Sequence, residues 1–465
     1  IVREVPLLAA RVEELEEHRA IELIPARDGS GIAGVLFIDV RQGTYRLVRA
    51  RCVLLATGAG PTMYRYHTPS GDKTCDGLAM ALRYGLALRD MEMVQFHPTG
   101  LLGGPDTRMT GTVLEEGLRG AGGHLLNGAG ERFMLNVDAR GERATRDVVS
   151  RGIYAEMRAG RTGPMGGVYI AMGHLGPDMV RRKFPGMVKR CEDCGFDLAA
   201  GRVEIVPTAH YMMGGVEFEV DGSTASPGLY AAGEDCGVVH GANRLGGNGV
   251  ANSTVFGGIA GDSMAAFART QRLLREPDAL VIDAAIARVE FPFSRRAGPS
   301  HELREALAQT MWDDVGVMRN RTAMERGLAS VARHQADLRG LGVADGDRGF
   351  NLSWHDWLNL ESLLDLSEVI TRAALARENS RGAHFREDFP EPGSLDGSRY
   401  TRVVRRGDEL QLELVPVDFS IVRPGQSLLE ADHAAAGAAG ADRSADCPDA
   451  AASALPKAAA QTVAA

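Results

Sequence analysis

Hydrophobic and polar positions change texture several times along the chain. Residues 31 to 50 read GIAGVLFIDV, then Arg41-Gln42-Gly43, then TYRLVRA. Two runs of β-forming residues around a short Gly-containing turn predict a hairpin. Cys52 to Ala56 is a continuous apolar run, the pattern of a strand buried on both faces. It ends at Thr57-Gly58-Ala59-Gly60, where glycines let a backbone approach a ligand closely. DGLAMALRYG predicts a helix that starts at Asp76 and stops at Gly85. Residues 101 to 205 are Gly-rich and polar with short apolar runs, the texture of an inserted α+β unit. Strand-and-glycine texture returns from Val203 to Phe267. Farther on, Leu303, Leu307, Met311 and Val315 recur every four positions, and Leu360, Leu363, Leu364, Ser367 and Ile370 make a similar stripe. Helices packed on the main body are expected there. ELQLELVPV, 409 to 417, alternates like a strand, and from about Glu430 an Ala-rich, disordered tail is expected.

Composition narrows the class. A chain of 465 residues implies two to four domains, and 44% hydrophobic with 24% charged residues is ordinary globular usage. A net charge of −9 argues against nucleic acid as a partner. No run of eighteen apolar residues is present, so no direct membrane span is expected. The chain opens on Ile1 without a basic and apolar leader, so a processed chain or a fragment is expected. Six scattered cysteines fit a reducing, cytoplasmic compartment. Cys191 and Cys194 form a lone CxxC without the second pair a zinc site needs, so no metal site is expected.

The chemistry lies in seven segments: MEMVQFHPTG (91 to 100), LEEGLRGAGGHLLNGAGERFM (114 to 134), TRDVVSR (145 to 151), PTAHYMMGG (207 to 215), GLYAAGE (228 to 234), HGANRLGGN (240 to 248) and ENSRGAHFREDFPE (378 to 391). They supply His97, Arg119, Arg146, His210 and Arg244, a set suited to a dianion, because removing two negative charges from water requires fixed cations and donors. Arg forks also fix a carboxylate's orientation.

In order and spacing, these segments over roughly residues 1 to 420 resemble the flavoprotein subunits of succinate dehydrogenase and fumarate reductase, with L-aspartate oxidase a close relative. The resemblance implies an α/β fold: a partial FAD-binding Rossmann-like domain, an inserted α+β capping domain and a C-terminal helical domain. It places the FAD-binding domain at 1–100 and 206–270, the cap at 101–205, the helical domain at 271–390, a β segment at 391–428 and the tail at 429–465. It implies hydride transfer at flavin N5 between FAD and fumarate or succinate, with Arg146 as proton donor supplied through Glu116 and Arg119. His210 and Arg244 would hold one carboxylate, and His97 and Glu115 would stand at the other. Thr57, Gly58, Asp76, Glu234, Gly247, Asn248, Gly249 and Val250 would touch FAD. An iron–sulfur subunit would be the electron partner, in the cytoplasm or at the inner face of the membrane through other subunits.

Departures from the family pattern set the rival readings. No strand–GxGxxG–helix unit is present; the resemblance puts it ahead of Ile1, so weak FAD binding by this stretch alone is expected. Ala121 replaces a common Glu, and GNGVANS replaces a motif usually written with Asn-Ser-Leu. Glu115 stands where the family usually has a neutral Thr or Ser. Two like charges 4 Å apart at an effective dielectric near 20 cost about 4 kcal/mol, roughly three decades of affinity. Glu115 is then protonated, or turned away, or the substrate is not a plain dicarboxylate. L-aspartate oxidase is one rival function; an inactive fragment without tight FAD binding is the other.

Overall fold

The computed structural model describes residues 12–104, 107–420 and 422–426. The tail expected at 429–465 lies outside them. Residues 12 to 416 belong to one compact unit, and a separate unit begins at Val417.

The chain opens with strands β1 (His18–Pro25), β2 (Ile32–Asp39) and β3 (Thr44–Arg49), an antiparallel sheet in that order. The β2–β3 turn pairs Asp39 with Thr44, and Gly43 takes φ 66° in it. Gly29, Gly31 and Gly34 have GxGxxG spacing, but they lie between and within two antiparallel strands, so no helix N-terminus follows to receive a pyrophosphate. Strand β4 (Val53–Leu55) comes next; Val53 and Leu54 are half-buried rather than sealed on both faces, because β4 belongs to a sheet of only two described strands. Helix α1 (Asp76–Tyr84) ends where Gly85 adopts φ 91°. Then come β5 (Leu88–Arg89), β6 (Val94–Leu101), the single turn α2 (Gly117–Gly120) and β7 (His124–Leu126).

Helix α3 (Arg146–Arg158), β8 (Val168–Ala171), α4 (Pro177–Lys183), α5 (Pro185–Glu192) and the long β9 (Arg202–Met212) follow. Short strands β10 (Gly215–Val216) and β11 (Leu229–Ala231) precede α6 (Asn248–Thr270). Helices α7 (Ala279–Glu290), α8 (Ser300–Val315), α9 (Arg321–Gly340) and α10 (Leu352–Ala376) lead to the hairpin β12 (Arg399–Arg406) and β13 (Glu409–Pro416). Asp278, Asn320 and Asn351 cap α7, α9 and α10 by accepting a backbone N–H, worth about 1 kcal/mol each. Leu303, Leu307, Met311, Val315 and the Leu360 to Ile370 stripe are buried, so the apolar period is the helical packing face.

Two large apolar cores form. One joins the β1–β3 sheet, α1 and helices α7 to α10; the other runs from Leu101 to Ile205. Strands β6 and β9 pair antiparallel and pass from one core to the other: Phe96 and Ala209 sit in the first, Leu101 and Ile205 in the second. Polar side chains on these strands therefore emerge at the junction. The first core grips β6 through Trp312, which meets Tyr66, Tyr154 and Phe96 edge-on. The 378–391 segment is structural: the buried Arg386 donates to the carbonyls of Ala374, Leu375 and Arg377 at the end of α10, where a cation is favoured. No helix among the described residues is long and apolar enough to cross a membrane.

Candidate active site

Strand β6 contributes Gln95, His97 and Thr99, and β9 contributes His210 and Tyr211. Register shifts on either side of Phe96 and His97 break the regular pairing, as bulges that re-aim side chains do. The rings of His97 and His210 meet edge-on with centroids 5.4 Å apart. Burial, then Arg146, drives His97 well below its ordinary pKa; burial, then Arg244, brings His210 down to about 3. Both rings are neutral at working pH. The backbone N–H of Thr99 donates to Nδ1 of His97, so Nε2 carries that ring's proton. Thr68 Oγ1 lies 2.8 Å from Nδ1 of His210 and fixes the second ring.

Arg146 is the first residue of α3, at the positive end of the helix dipole. Its Nε and Nη2 donate to one oxygen of Glu116, at 3.1 and 2.8 Å, and its Nη1 donates to Gln95 at 3.1 Å. Arg119 donates to the other oxygen of Glu116 at 3.0 Å and to the Glu142 carbonyl at 2.6 Å. Burial opposes the Glu116 charge, yet the two guanidiniums win and hold its carboxyl below the usual range. Arg244 lies 4.4 Å over the Tyr211 ring, and among the described residues no carboxylate forms an ion pair with it. Burial and Arg146 lower its pKa. Arg146 and Arg119 thus share the Glu116 carboxylate, and Arg244 adds a third guanidinium beside the neutral imidazoles.

Arg146, His210, Tyr211, Glu234, Arg244, Gly247, Gly249, Val250, Ser253 and Thr254 line an open cleft of about 780 Å³. The start of α6 forms one wall. Its N-cap Gly247 takes φ 82° and no side chain caps it; the N–H groups of Asn248 and Val250 donate to the Leu245 and Gly247 carbonyls. A Cβ on Gly249 would come within 3.2 Å of Tyr211 and 3.3 Å of Arg244.

Comparisons with known proteins identify the family. A model described as "FAD binding domain" matches residues 5–250, and one described as "Fumarate reductase flavoprotein C-term" matches 304–428. A fumarate reductase (CoM/CoB) chain of Methanothermobacter marburgensis is 39% identical over 382 residues, 82% of this chain and 68% of that one. The fumarate reductase flavoprotein subunit of Mycobacterium tuberculosis is 34% identical over 424 residues, 86% and 71% of the two chains. The E. coli quinol fumarate reductase flavoprotein superposes with a TM-score of 0.83 at 29% identity, covering 91% of this chain and 75% of that one. The chain belongs to the fumarate reductase/succinate dehydrogenase flavoprotein family.

Members of this family are oxidoreductases, and FAD is the cofactor. The cleft suits the flavin: the α6 N-terminus lines it, Val250 exposes an apolar side chain, and Asn252 Oδ1 has no hydrogen-bond partner among the described residues. Asn248 is exposed at that N-terminus. Glu234 faces the same cleft, its carboxyl raised by burial and accepting the Met212 N–H.

Thr57, Gly58, Asp76 and Glu115 have surroundings of their own. The N–H groups of Thr57 and Gly58 both donate to Asp235, a carboxylate 178 residues away from Thr57, so those donors are taken. Lys73 stands over this turn instead, since its Nζ would lie 2.8 Å from a Cβ on Gly58. The Asp76 carboxylate accepts from Arg19 and Thr74 at 3.1 and 3.0 Å, so its charge is answered by the protein. Glu115 is exposed, with its carboxylate beside Gly117, and forms no ion pair among the described residues. Turning outward avoids the like-charge cost that an inward position would carry. Gln95, Thr68, Thr99 and Asn243 were not singled out from sequence, although Gln95 and Thr99 flank His97 and Asn243 precedes Arg244.

Proposed function

We propose that this chain interconverts fumarate and succinate. The observation that carries the reading is Arg244, which forms no ion pair among the described residues, at a cleft that also presents neutral His210 and the Arg146–Glu116–Arg119 chain. The Arg244 fork and His210 bind one carboxylate. His97 donates from Nε2 toward the other. Glu115 stays outside this contact. FAD held in this cleft would supply the hydride chemistry at one substrate carbon. Arg146 gives a proton to the neighbouring carbon, which completes succinate, and takes one back in the reverse direction. Arg119 then protonates the Glu116 carboxylate, Glu116 passes that proton to Arg146, and water restores the one Arg119 gave, so that the proton moves along hydrogen bonds already formed. Glu234 and the residues from Gly247 to Val250 hold the flavin.

The relatives are named as subunits, one of them an 8-methylmenaquinol:fumarate reductase flavoprotein subunit of Wolinella succinogenes. This supports an electron-carrying partner, the iron–sulfur subunit, and a place in the cytoplasm or at the inner face of the membrane through it. The test is turnover of FAD-loaded protein with fumarate and reduced viologen, run beside aspartate oxidation. Fumarate reduction is expected. Aspartate oxidation without fumarate reduction would overturn the reading.

A further inference from the structure

Gln95 ties the proton donor to the substrate clamp. Its Oε1 accepts from Arg146 Nη1 at 3.1 Å, and its Nε2 donates to the Arg244 carbonyl at 2.7 Å and to Asn243 Oδ1 at 3.0 Å. An amide can present its two ends the other way round, and the reversed Gln95 would point a donor at the Arg146 cation. Asn243 also donates from Nδ2 to Asp147 Oδ1 at 2.8 Å, and Asp147 directly follows Arg146 on α3. That bond makes Oδ1 the end of Asn243 that faces Gln95. Asp147 is held in turn by Arg151, which donates to it and to the Gly382 carbonyl. Gly382 takes φ 52°, and a Cβ there would lie 2.2 Å from the Ala242 oxygen, so the loop carrying Asn243 is clamped by close backbone packing.

We propose that Asn243 is a positioning residue for proton transfer: through Gln95 it sets the direction of the Arg146 guanidinium, while its neighbour Arg244 holds substrate. This rests on the reading of Arg146 as the acid. Asn243 itself touches neither substrate nor flavin. Its polarity is fixed by Asp147, which gives the proposal a specific test.

Asn243→Asp sets a carboxylate against Asp147. Asn243→Asp combined with Asp147→Asn reverses the bond and restores both the donor and the acceptor. In the FAD-loaded protein, N243D is expected to lower fumarate turnover at least tenfold, since misplacing a catalytic group by about 1 Å costs on the order of a hundredfold. The dissociation constant of malonate, an unreactive dicarboxylate read by calorimetry, should stay within about threefold, as no group that binds it is changed. The double variant should regain turnover to within about threefold of the parent, as expected of residues coupled in one network. Full turnover in N243D, or failure of the double variant to recover it, overturns the proposal. If N243D alone does not fold, the double variant decides in the same way. Arg146→Gln is the separate check on the underlying reading: if it keeps a tenth or more of parental turnover, the acid assignment fails and the proposal falls with it.

Discussion

Replacing Glu116 by Gln separates binding from proton transfer. The Glu116 carboxylate accepts three guanidinium hydrogen bonds, two from Arg146 and one from Arg119. Gln keeps one acceptor oxygen and puts an amide donor in place of the other. If the oxygen stays with Arg146, the amide faces Arg119, which is 2% exposed and retains only the Glu142 carbonyl, its Nε already being sealed without a partner. A charge-assisted hydrogen bond is worth about 1.5–3 kcal/mol, but Glu116 is 43% exposed, so solvent screening brings each toward about 1 kcal/mol. Structural loss is therefore modest. Kinetic loss is large, because the amide neither accepts nor returns a proton and acid–base relays contribute about 10²–10⁴-fold. Ground-state binding moves the other way: deleting a negative charge near a bound dianion favours it by about 1 kcal/mol at 4 Å in water, a few-fold in affinity. The assay is fumarate reduction by reduced viologen beside malonate calorimetry on the same FAD-loaded sample. Turnover should fall at least a hundredfold while malonate binds as tightly as before or tighter. Retention of a tenth of the turnover, or weakening of malonate in step with it, refutes the relay.

Two further outcomes follow from the site. Because His97 and His210 are neutral when folded, the unfolded chain takes up protons below about pH 6.5 that the folded chain does not; their contribution is full above pH 6.5 and is lost as pH falls toward about 3, the His210 value. Urea unfolding between pH 5 and 7 should show it at up to about 1.4 kcal/mol per pH unit per ring, and His210→Gln should reduce that slope; an unchanged slope would show that His210 is protonated in the fold. Arg244→Lys keeps the charge but loses the planar fork, so malonate affinity should fall about tenfold or more by calorimetry, and unchanged affinity would remove Arg244 from the clamp.

The helices and the β2–β3 hairpin were legible because the helical apolar period and the glycine turn are local signals. The seven motifs also carried the residues that β6, β9, α3 and the α6 N-terminus bring to one place. What the sequence concealed is where polar groups spend their hydrogen bonds. Thr57 and Gly58 read as a cofactor-facing turn, yet Asp235 takes their N–H groups. Asp76 reads as a helix-start carboxylate that meets FAD, and its bond from Arg19, 57 residues away, had no signal in the sequence. Asn243 gave no signal apart from Arg244, because its meaning lies in Gln95 and Asp147, 148 and 96 residues away. Such pairings depend on tertiary approach and have no period along the chain.

Delivery of the proton by Arg146 is the step on which the proposed reaction turns. Its most direct measurement is the rate of fumarate reduction by Arg146→Gln protein, with flavin content determined by absorbance on the same sample. Turnover is predicted to fall at least a hundredfold, in line with typical acid–base contributions, at unchanged flavin content. A variant that keeps a tenth or more of the parental rate would contradict this role and move the acid to another residue.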